Sequence, residues 1–302
     1  MNHRLSLAGL VLSLATVNVA GAALPPMAPV TAADSLLIVA PHPDDESLCC
    51  GGLIYMARAV GAKVSIVWIT SGDAFRWDAM RLNRELFPPA VSYLSLARQR
   101  TDEAREAARI LNVDHDSIYF LGYPDRGVSH LMGNYYEPPS PWRSHYTGAR
   151  HVIYPDAFEP GAPYDGASLT HDFEAVLDRV HPTMVFAPSL QDAHPDHRGA
   201  GLLVSRTLAA RGELGELRFW IVHGGHGWPA HGYEPLAPQT IAPRGTGLQW
   251  RELRLAEDSE AAKLQAISAH QSQVRVMGRT MRRYVRSTEL YALSPVASAA
   301  RR

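Results

Sequence analysis

Short apolar runs recur along the chain and predict the buried strands of an α/β protein. They cover residues 36–40, 63–70, 117–121, 183–188 and 217–222. Runs of this length, bounded by Gly, Pro or charged residues, suit strands that are buried on both faces of a parallel sheet better than they suit helices. Because longer segments with helical spacing of apolar residues separate them, the pattern predicts that strands and helices alternate.

The segments between the strands predict five helices and one edge strand. The helix after the first strand contains many small residues, as if it were pressed closely against a sheet. The helix before residue 112 is strongly charged, and we expect it on the outside of the sheet. The predicted helices are 48–57, 96–111, 169–180, 199–211 and 259–270, with a possible edge strand at 249–255.

In three further segments the apolar residues follow neither helical nor strand spacing. Residues 74–95 are rich in aromatic side chains and arginine, which suits a lid or binding loop over a site. Residues 126–166 are rich in Pro, Tyr, Gly and His, and their aromatic content argues against disorder. We therefore interpret that segment as a pocket wall without a domain boundary. Residues 271–291 read as a polar tail with a cluster of four arginines, Arg279, Arg282, Arg283 and Arg286. The cluster suits a solvated helix face, and contact with an anionic glycan or lipid head group is the alternative.

The first residues predict export. Residues 1–22 combine a basic start, a short apolar core and a small-x-small ending, which is the layout of a secretory signal peptide. The apolar core is too short for a good membrane span, and an uncleaved anchor is the alternative. We expect an extracytoplasmic protein, periplasmic or secreted, with a leader at 23–34 and a single domain at 35–302.

Composition narrows the classes of function. The chain has 302 residues, enough for one large α/β domain, and its formal net charge of −1 leaves no electrostatic footprint for nucleic acid. Its two cysteines, Cys49 and Cys50, are neighbours within a predicted helix. A bridge between them would be strained, and zinc thiolate sites use a wider spacing, so we expect two small buried packing residues.

The sequence Pro-His-Pro-Asp-Asp-Glu at 41–46 lies where the first strand ends and a helix begins. Ligands of open α/β sheets bind at that edge. His42 and Asp45 are three positions apart, so on a tight turn an imidazole nitrogen and a carboxylate oxygen can reach one cation, while Asp44 remains free. An N-capping cluster of acids is the simpler alternative.

A second set, His194-Pro195-Asp196-His197, follows the strand predicted at 183–188. Two strand-to-helix junctions therefore each carry His, Pro and Asp, which packing alone does not explain. Together they can supply a His, Asp and His ligand set that leaves one zinc position open for water.

Taken jointly, the two motifs resemble those of the LmbE-like, PIG-L family of zinc-dependent N-acetylglucosaminyl deacetylases. The resemblance covers roughly residues 35–290. It implies an α/β fold, a Rossmann-like three-layer sandwich with a mostly parallel central sheet, in agreement with the alternating strands and helices. Weaker matches are Thr70-Ser71-Gly72-Asp73, Leu121-Gly122-Tyr123-Pro124-Asp125, Lys263 and His270-Gln271-Ser272-Gln273.

The resemblance also implies roles for the first motif and its partner. His42, Asp45 and His197 would bind Zn²⁺, although His and carboxylate ligands also suit other divalent metals. Asp44, beside the ligand Asp45 but not on the metal, would act as the general base that takes a proton from water.

Five further residues complete the expected site. His194 would stabilise the oxyanion and protonate the departing amine, and Asp196 would hold it oriented or tune its pKa. Substrate contacts are expected from Arg76, Asp125 and His223. The alternatives are a surface salt bridge for Arg76, a turn-stabilising role for Asp125, and Gly-rich turn chemistry for His223.

The predicted function is that of an exported metal-dependent hydrolase that removes the N-acetyl group from an N-acetylglucosamine-containing glycan, glycolipid or glycoside. One alternative is an amidase acting on another amide conjugate, and another is a non-catalytic, metal-dependent carbohydrate-binding protein. Asp44 separates them, because a binding module has no use for a free carboxylate beside bound water. The expected partner is an N-acetylated amino sugar, with no nucleic acid and no stable membrane span after cleavage. The sequence leaves the oligomeric state open.

Overall fold

One mixed sheet with helices on both faces forms the protein in the computed structural model, which describes residues 24–84, 86–230 and 232–294. Within these ranges the strands are β1 Ser35–Ala40, β2 Lys63–Thr70, β3 Ile118–Tyr123, β4 Met184–Pro188, β5 Leu217–Trp220, β6 Gln249–Arg254 and β7 Thr288–Leu293. The helices are α1 Asp45–Ala59, α2 Arg76–Asn83, α3 Ala90–Ile110, α4 Val128–Leu131, α5 Gly166–Val180, α6 Pro195–Arg211, α7 Glu257–Ala269 and α8 Gln271–Met281.

The strand order places β1 at the centre of the parallel part of the sheet. The order is β3-β2-β1-β4-β5-β7-β6, and the first five strands in that order run parallel. β7 is antiparallel to both β5 and β6. Since the chain passes from β1 to β2 on one side and returns later as β4 on the other, the carboxyl ends of β1 and β4 form a topological switch point.

Alternating side chains along β1 face two separate cores. Leu37 and Val39 pack with residues of α5 and α6, whereas Leu36, Ile38 and Ala40 pack with residues of α1, α3 and α7. All five side chains are inaccessible to solvent. Both faces of the strand are therefore covered, and the expected three-layer α/β sandwich is confirmed.

The expected signal peptide at 1–22 lies outside the described residues and stays a prediction. The leader at 23–34 is described from Leu24 onward, and it contacts the sheet edge through a bridge between Pro26 and Glu252. None of the helices in the described ranges offers an apolar stretch of the length that a bilayer crossing requires.

The structure corrects the predictions for two of the segments in which apolar residues had no regular spacing. Residues 74–95 contain α2 and the start of α3, separated by Pro88 and Pro89. Residues 271–291 are not a polar tail, because they form α8 and most of β7. The sequence did not predict β7 because this strand contains polar residues, such as Thr288 and Glu289, that are buried in the structure. Arg286, expected on a solvated face, is also buried and donates hydrogen bonds to Glu234.

The cysteines correct a further expectation. A disulfide joins Cys49 and Cys50, which were expected to be separate packing residues. The two side chains lie buried side by side in α1. Because the sequence contains no third cysteine, each sulfur has only its neighbour as a bonding partner.

Candidate metal centre and active site

The turn between β1 and α1 buries its charged side chains in a strained backbone. Asp44 has a φ of 141°, in the region that favours glycine. Its N–H donates to the Glu46 carboxylate at 3.0 Å, and Glu46 also accepts from Trp68 Nε1 at 2.8 Å and lies 2.9 Å from His270 Nε2. A fully buried carboxylate therefore holds the backbone that aims Asp44 and starts the helix.

The second motif opens α6 in the same way that the first opens α1. His194 is the N-cap residue, and its Nδ1 accepts the Asp196 N–H at 3.3 Å. Pro195 occupies the first helical turn, where a missing N–H costs nothing. Asp196 and His197 are then fully buried on the inner side of the helix.

Pairing of β1 with β4 brings the two turns together. Asp45 Oδ2 lies 3.1 Å from His42 Nδ1 and 3.1 Å from His197 Nε2. The same oxygen accepts the backbone N–H of His42 at 3.0 Å. His42 and His197, which lie about half of the chain apart in sequence, thus meet at one oxygen of the third expected ligand, Asp45.

The donor set fits a divalent cation. His197 is fully buried, yet neither of its ring nitrogens has a hydrogen bond of acceptable geometry among the described residues. Such an arrangement is costly unless another partner, such as a cation, satisfies the nitrogens. Ligand atoms lie within 4.8 Å of one another in three overlapping groups: His42 with His194 and His197; Asp45 with His197 and His223; and His42 with Asp125 and Asp196.

Neighbouring charges shift the pKa of His197 and that of Asp45 in the direction opposite to the effect of burial. Burial lowers the pKa of His197, but Asp45 and Asp192 raise it to about 9. Burial raises the pKa of Asp45, but the charges of His197 and His42 and the hydrogen bond from His42 hold it well below its usual range. Protons thus compete with a cation for these imidazoles, so metal binding is expected to release protons.

Asp44 lies beside this set with a different partner. Its Oδ2 is 3.3 Å from an Arg100 guanidinium nitrogen, and the same arginine donates to the carbonyl oxygens of Pro43 and Gly72 at 2.8 and 3.0 Å. Burial raises the pKa of Asp44 to about 7, although Arg100 opposes the shift. A carboxylate of this pKa at the wall of the cleft suits a general base.

His194 stands over the ligand set with a defined tautomer. Its ring packs edge-on against His42, with centroids 4.9 Å apart. Because Nδ1 accepts the Asp196 N–H, the neutral ring carries its proton on Nε2. Burial lowers the pKa of His194, and the neighbouring His42, His197 and His223 add to the effect. The neutral ring therefore offers one hydrogen-bond donor to the cleft.

Asp196 has a different partner from the one that the resemblance implies. Its carboxylate oxygen Oδ2 lies 3.3 Å from His42 Nε2 and accepts the Arg126 N–H at 2.6 Å. Only its backbone N–H reaches His194. The carboxylate therefore orients His42, an expected metal ligand, and the backbone fixes the His194 ring.

The three expected substrate contacts divide between the cleft and the surface. Asp125 lines the cleft, 3.4 Å from His42 Nε2, and its other oxygen accepts the Ala74 N–H at 3.1 Å. His223 also lines it, with its ring centroid 4.6 Å from that of His197. The structure does not bring Arg76 to the cleft lining. Its guanidinium lies over the ring of Phe87, because α2 turns the side chain outward.

The cleft itself has a volume of about 220 Å³. The segment 126–166, interpreted as a pocket wall, supplies only Arg126 to it, while buried aromatics such as Trp142 and Tyr164 belong to the core. The segment 74–95 supplies Ala74 and Phe75. The full lining is His42, Asp44, Asp45, Leu48, Ala74, Phe75, Arg100, Asp125, Arg126, His194, Val222, His223, Gln273 and Met277.

Asp192 is a site residue that the sequence analysis missed. It is fully buried, and its Oδ2 lies 3.2 Å from His197 Nδ1. The same oxygen accepts the N–H groups of Val222 and His223 at 3.0 Å, and Oδ1 accepts the His194 N–H at 2.8 Å. One carboxylate thus ties together the segments that carry three histidines. An acid two positions before the second motif was the available signal.

Arg100 was missed for a different reason. The charged helix predicted at 96–111 was expected on the outside, but Arg100 and Glu103 are buried. Glu103 accepts the backbone N–H of Ser272 at 2.9 Å, which joins α3 to α8. These charges share an i, i+4, i+7 face with Leu96, and that spacing was a readable sign of a buried stripe.

Comparisons with known proteins agree with this geometry. A 1D-myo-inositol 2-acetamido-2-deoxy-alpha-D-glucopyranoside deacetylase of Actinosynnema mirum is 31% identical over 191 residues, covering 60% of this chain and 57% of that protein. The protein of the same description from Nocardia farcinica is 29% identical over 274 residues, covering 82% of each chain. For the Actinosynnema protein and two others, this chain spans little more than half of the relative's length, 53 to 57%.

A solved structure supports the fold alone. The A40926 pseudoaglycone deacetylase superposes with a TM-score of 0.57 at 17% identity, over 86% of this chain and 96% of that one. The family model described as PIG-L, GlcNAc-PI de-N-acetylase, matches residues 37–208, more than half of the chain and both motifs. The resemblance read from those motifs is confirmed, and the chain belongs to the PIG-L family.

Proposed function

We propose that this protein is a metal-dependent N-deacetylase that hydrolyses the acetamide of an N-acetylglucosamine-containing molecule, with zinc as the metal. The family and the curated relatives, which are deacetylases of acetylated glucosaminyl compounds, support the reaction class. The observation that carries the proposal is Asp44. It is a buried carboxylate beside the ligand set, its pKa is raised to about 7, and Arg100 and Glu46 fix its position.

The attack on the amide needs a metal and a base. A zinc ion held by His42, Asp45 and His197 would supply Lewis acidity toward the acetyl carbonyl and lower the pKa of water. Asp44 accepts a proton from the attacking water while the new C–O bond forms. Arg100 keeps the Asp44 carboxylate directed into the cleft.

Collapse of the tetrahedral species breaks the C–N bond and gives acetate and a free amine. The neutral His194 donates its Nε2–H to the developing oxyanion, which suits a ring whose pKa is lowered. Loss of that proton would leave an imidazolate, so we assign amine protonation to Asp44, which has just received a proton. This assignment differs from the role that the resemblance implied for His194.

The cleft wall offers polar groups to the sugar. Asp125 is held rigid, since its backbone N–H donates to Asp73 at 3.1 Å and its carboxylate accepts the Ala74 N–H. It can therefore accept hydrogen bonds from sugar hydroxyls, while Phe75 and Met277 offer apolar contact beside it.

Acetate release tests the proposal. Purified protein, freed of metal and then reloaded with zinc or another divalent ion, would be assayed on a panel of N-acetylglucosamine glycosides and glycolipids. We expect metal-dependent release that Asp44→Asn lowers by about 10²–10⁴-fold with metal content unchanged. Asp116→Asn, on an exposed carboxylate far from the cleft, is the matched control.

Other outcomes separate the rivals. Release from a different amide conjugate alone would favour the amidase alternative. Sugar binding with tight metal binding, but without acetate from any member of the panel, would contradict the catalytic assignment and favour a binding protein.

We also propose that the protein is exported. The support is the signal-peptide layout of residues 1–22. Expression of the full chain in a bacterial host, followed by fractionation and N-terminal sequencing, tests it. We expect a mature extracytoplasmic protein that starts near Ala23, whereas an intact cytoplasmic chain would refute export.

A further inference from the structure

Five large apolar side chains are exposed in one region beside the cleft. They form half of the ten large hydrophobic residues that are exposed among the described residues. Three of them, Trp77, Leu86 and Phe87, have 67, 73 and 83% of their surface accessible, and Val91 and Val276 complete the set. Clustering of this kind marks an interaction surface, whereas single exposed apolar residues do not.

Arginines are interleaved with these apolar residues. Trp77, Leu86 and Val276 line one open groove together with Arg81, Arg84 and Arg275. Arg76 lies against Phe87, and Arg279 follows Arg275 by one helical turn on α8. We call these five apolar and five basic residues the rim patch.

The rim patch has a strong local charge of one sign. All five arginines are exposed, although the whole chain has a formal net charge of −1. The acidic residue of α2 is Asp78, which is buried and accepts a hydrogen bond from Gln273 at 3.1 Å. Glu85 lies outside the described residues. The charge of the patch is therefore complementary to an anionic partner.

The rim patch is continuous with the cleft. Phe75, next to α2, and Met277, on α8, both line the cleft. The hydrogen bond between Gln273 and Asp78 joins α8 to α2. A partner seated on the patch would lie at the cleft entrance.

We propose that the rim patch docks this protein on an anionic lipid surface. Arginine is interleaved here with exposed Trp, Phe and Leu, as in segments that lie in the headgroup region of a bilayer. A two-fold contact with a second copy would bring two patches of the same charge together, which opposes self-association. The proposal concerns binding and does not depend on the proposed reaction.

Co-sedimentation of the full chain with lipid vesicles tests this proposal. Vesicles of phosphatidylcholine alone would be compared with vesicles that contain an equal share of phosphatidylglycerol. We expect binding to the anionic vesicles only, weakened by high salt. The double substitution Arg81→Gln/Arg84→Gln should weaken it by about 25-fold, from about 5-fold for each arginine at an anionic surface. Phe87→Ser should weaken it by roughly 10-fold.

Control variants carry the same kinds of substitution outside the rim patch. Leu236→Ser alters a side chain that is 89% exposed, and Arg109→Gln/Arg254→Gln removes two exposed charges away from the patch. Both should bind like the unmodified protein. Equal binding to the two vesicle types, or equal losses in the matched variants, would overturn the proposal. So would concentration-dependent self-association in the absence of lipid that Phe87→Ser abolishes. Absence of binding to anionic vesicles would also overturn it and favour a protein partner.

Discussion

Asp192 holds the candidate metal centre rigid through a single side chain. Asp192→Asn keeps the size of the side chain but replaces one oxygen with an amide N–H₂. That group would face either His197 Nδ1 and the N–H groups of Val222 and His223, which Oδ2 now meets, or the His194 N–H, which Oδ1 now meets. We expect metal affinity to fall by about 10–100-fold, as for other carboxylates that orient ligating histidines. Competition with a chromophoric chelator measures it, and unchanged affinity would show that the packing around His197 suffices.

The buried pair of Glu46 and His270 makes stability depend on pH. Burial lowers the pKa of His270, but the charge and hydrogen bond of Glu46 raise it above its ordinary value of 6.5. The pKa is therefore higher in the folded than in the unfolded protein. The stability that this pair contributes is fully present below pH 6.5 and is lost as the pH rises through the folded-state value.

His270→Gln should reveal this dependence. We expect the substitution to lower the free energy of unfolding by about 3–5 kcal/mol in mild acid, because it leaves Glu46 buried without its cation. The difference between the two proteins should shrink toward high pH. Urea denaturation at about pH 6 and about pH 9 measures it, and a constant difference would mean that His270 is uncharged in the folded protein.

At the scale of elements, the position of α6 depends on a close approach to β4. A Cβ atom added at Gly201 would lie 2.4 Å from the Pro188 carbonyl oxygen, so backbone would have to move. Gly201→Ala should lower the free energy of unfolding by about 1–3 kcal/mol and also weaken metal binding, since α6 carries His197. Gly215→Ala, where nothing lies within 4 Å, is the control. Loss of stability without loss of metal affinity would show that α6 moves as a unit without disturbing the site.

The strands that the sequence predicted are runs of mostly apolar residues. β1, β2 and β4 are apolar runs buried on both faces, so composition alone marks them. β7 was missed because Glu289, a charge near its start, is satisfied by Lys263 through a contact that only the fold creates. Arg100 was misplaced for the same reason. The two motifs were readable because each is local, whereas Asp192 acquires its meaning only from the strands beside it.

At the scale of the whole molecule, Glu289 joins three elements. It accepts hydrogen bonds from Lys263 of α7 at 2.7 Å and from the N–H groups of Gly52 and Leu53 in α1 at 2.9 Å. Tyr291 of β7 donates to it as well, at 2.7 Å. The antiparallel edge of the sheet is thereby tied to the first helix, whose N-terminus carries Asp45, a proposed metal ligand.

Replacing Glu289 should lower the free energy of unfolding more than replacing its partner Lys263. Glu289→Leu leaves Lys263 charged and buried, so we expect a loss of about 3–5 kcal/mol in the free energy of unfolding. Lys263→Met should cost less, since three donors still satisfy Glu289. Adding Lys263→Met to the Glu289→Leu variant should recover about 1–3 kcal/mol of the free energy of unfolding that Glu289→Leu alone loses. Additive losses in a double-mutant cycle would contradict a coupled pair.

The junction of β1 and β4 also sets the order of events during synthesis. His42 and Asp196 are in contact although they are 154 positions apart in the chain. A ribosome adds about 5–20 residues per second, so roughly 8–30 seconds separate the emergence of the two motifs. Throughout that interval the nascent chain holds only two of the three expected ligands, His42 and Asp45. Full coordination of the proposed metal must therefore await the docking of β4, so we expect metal acquisition to be a late step in maturation.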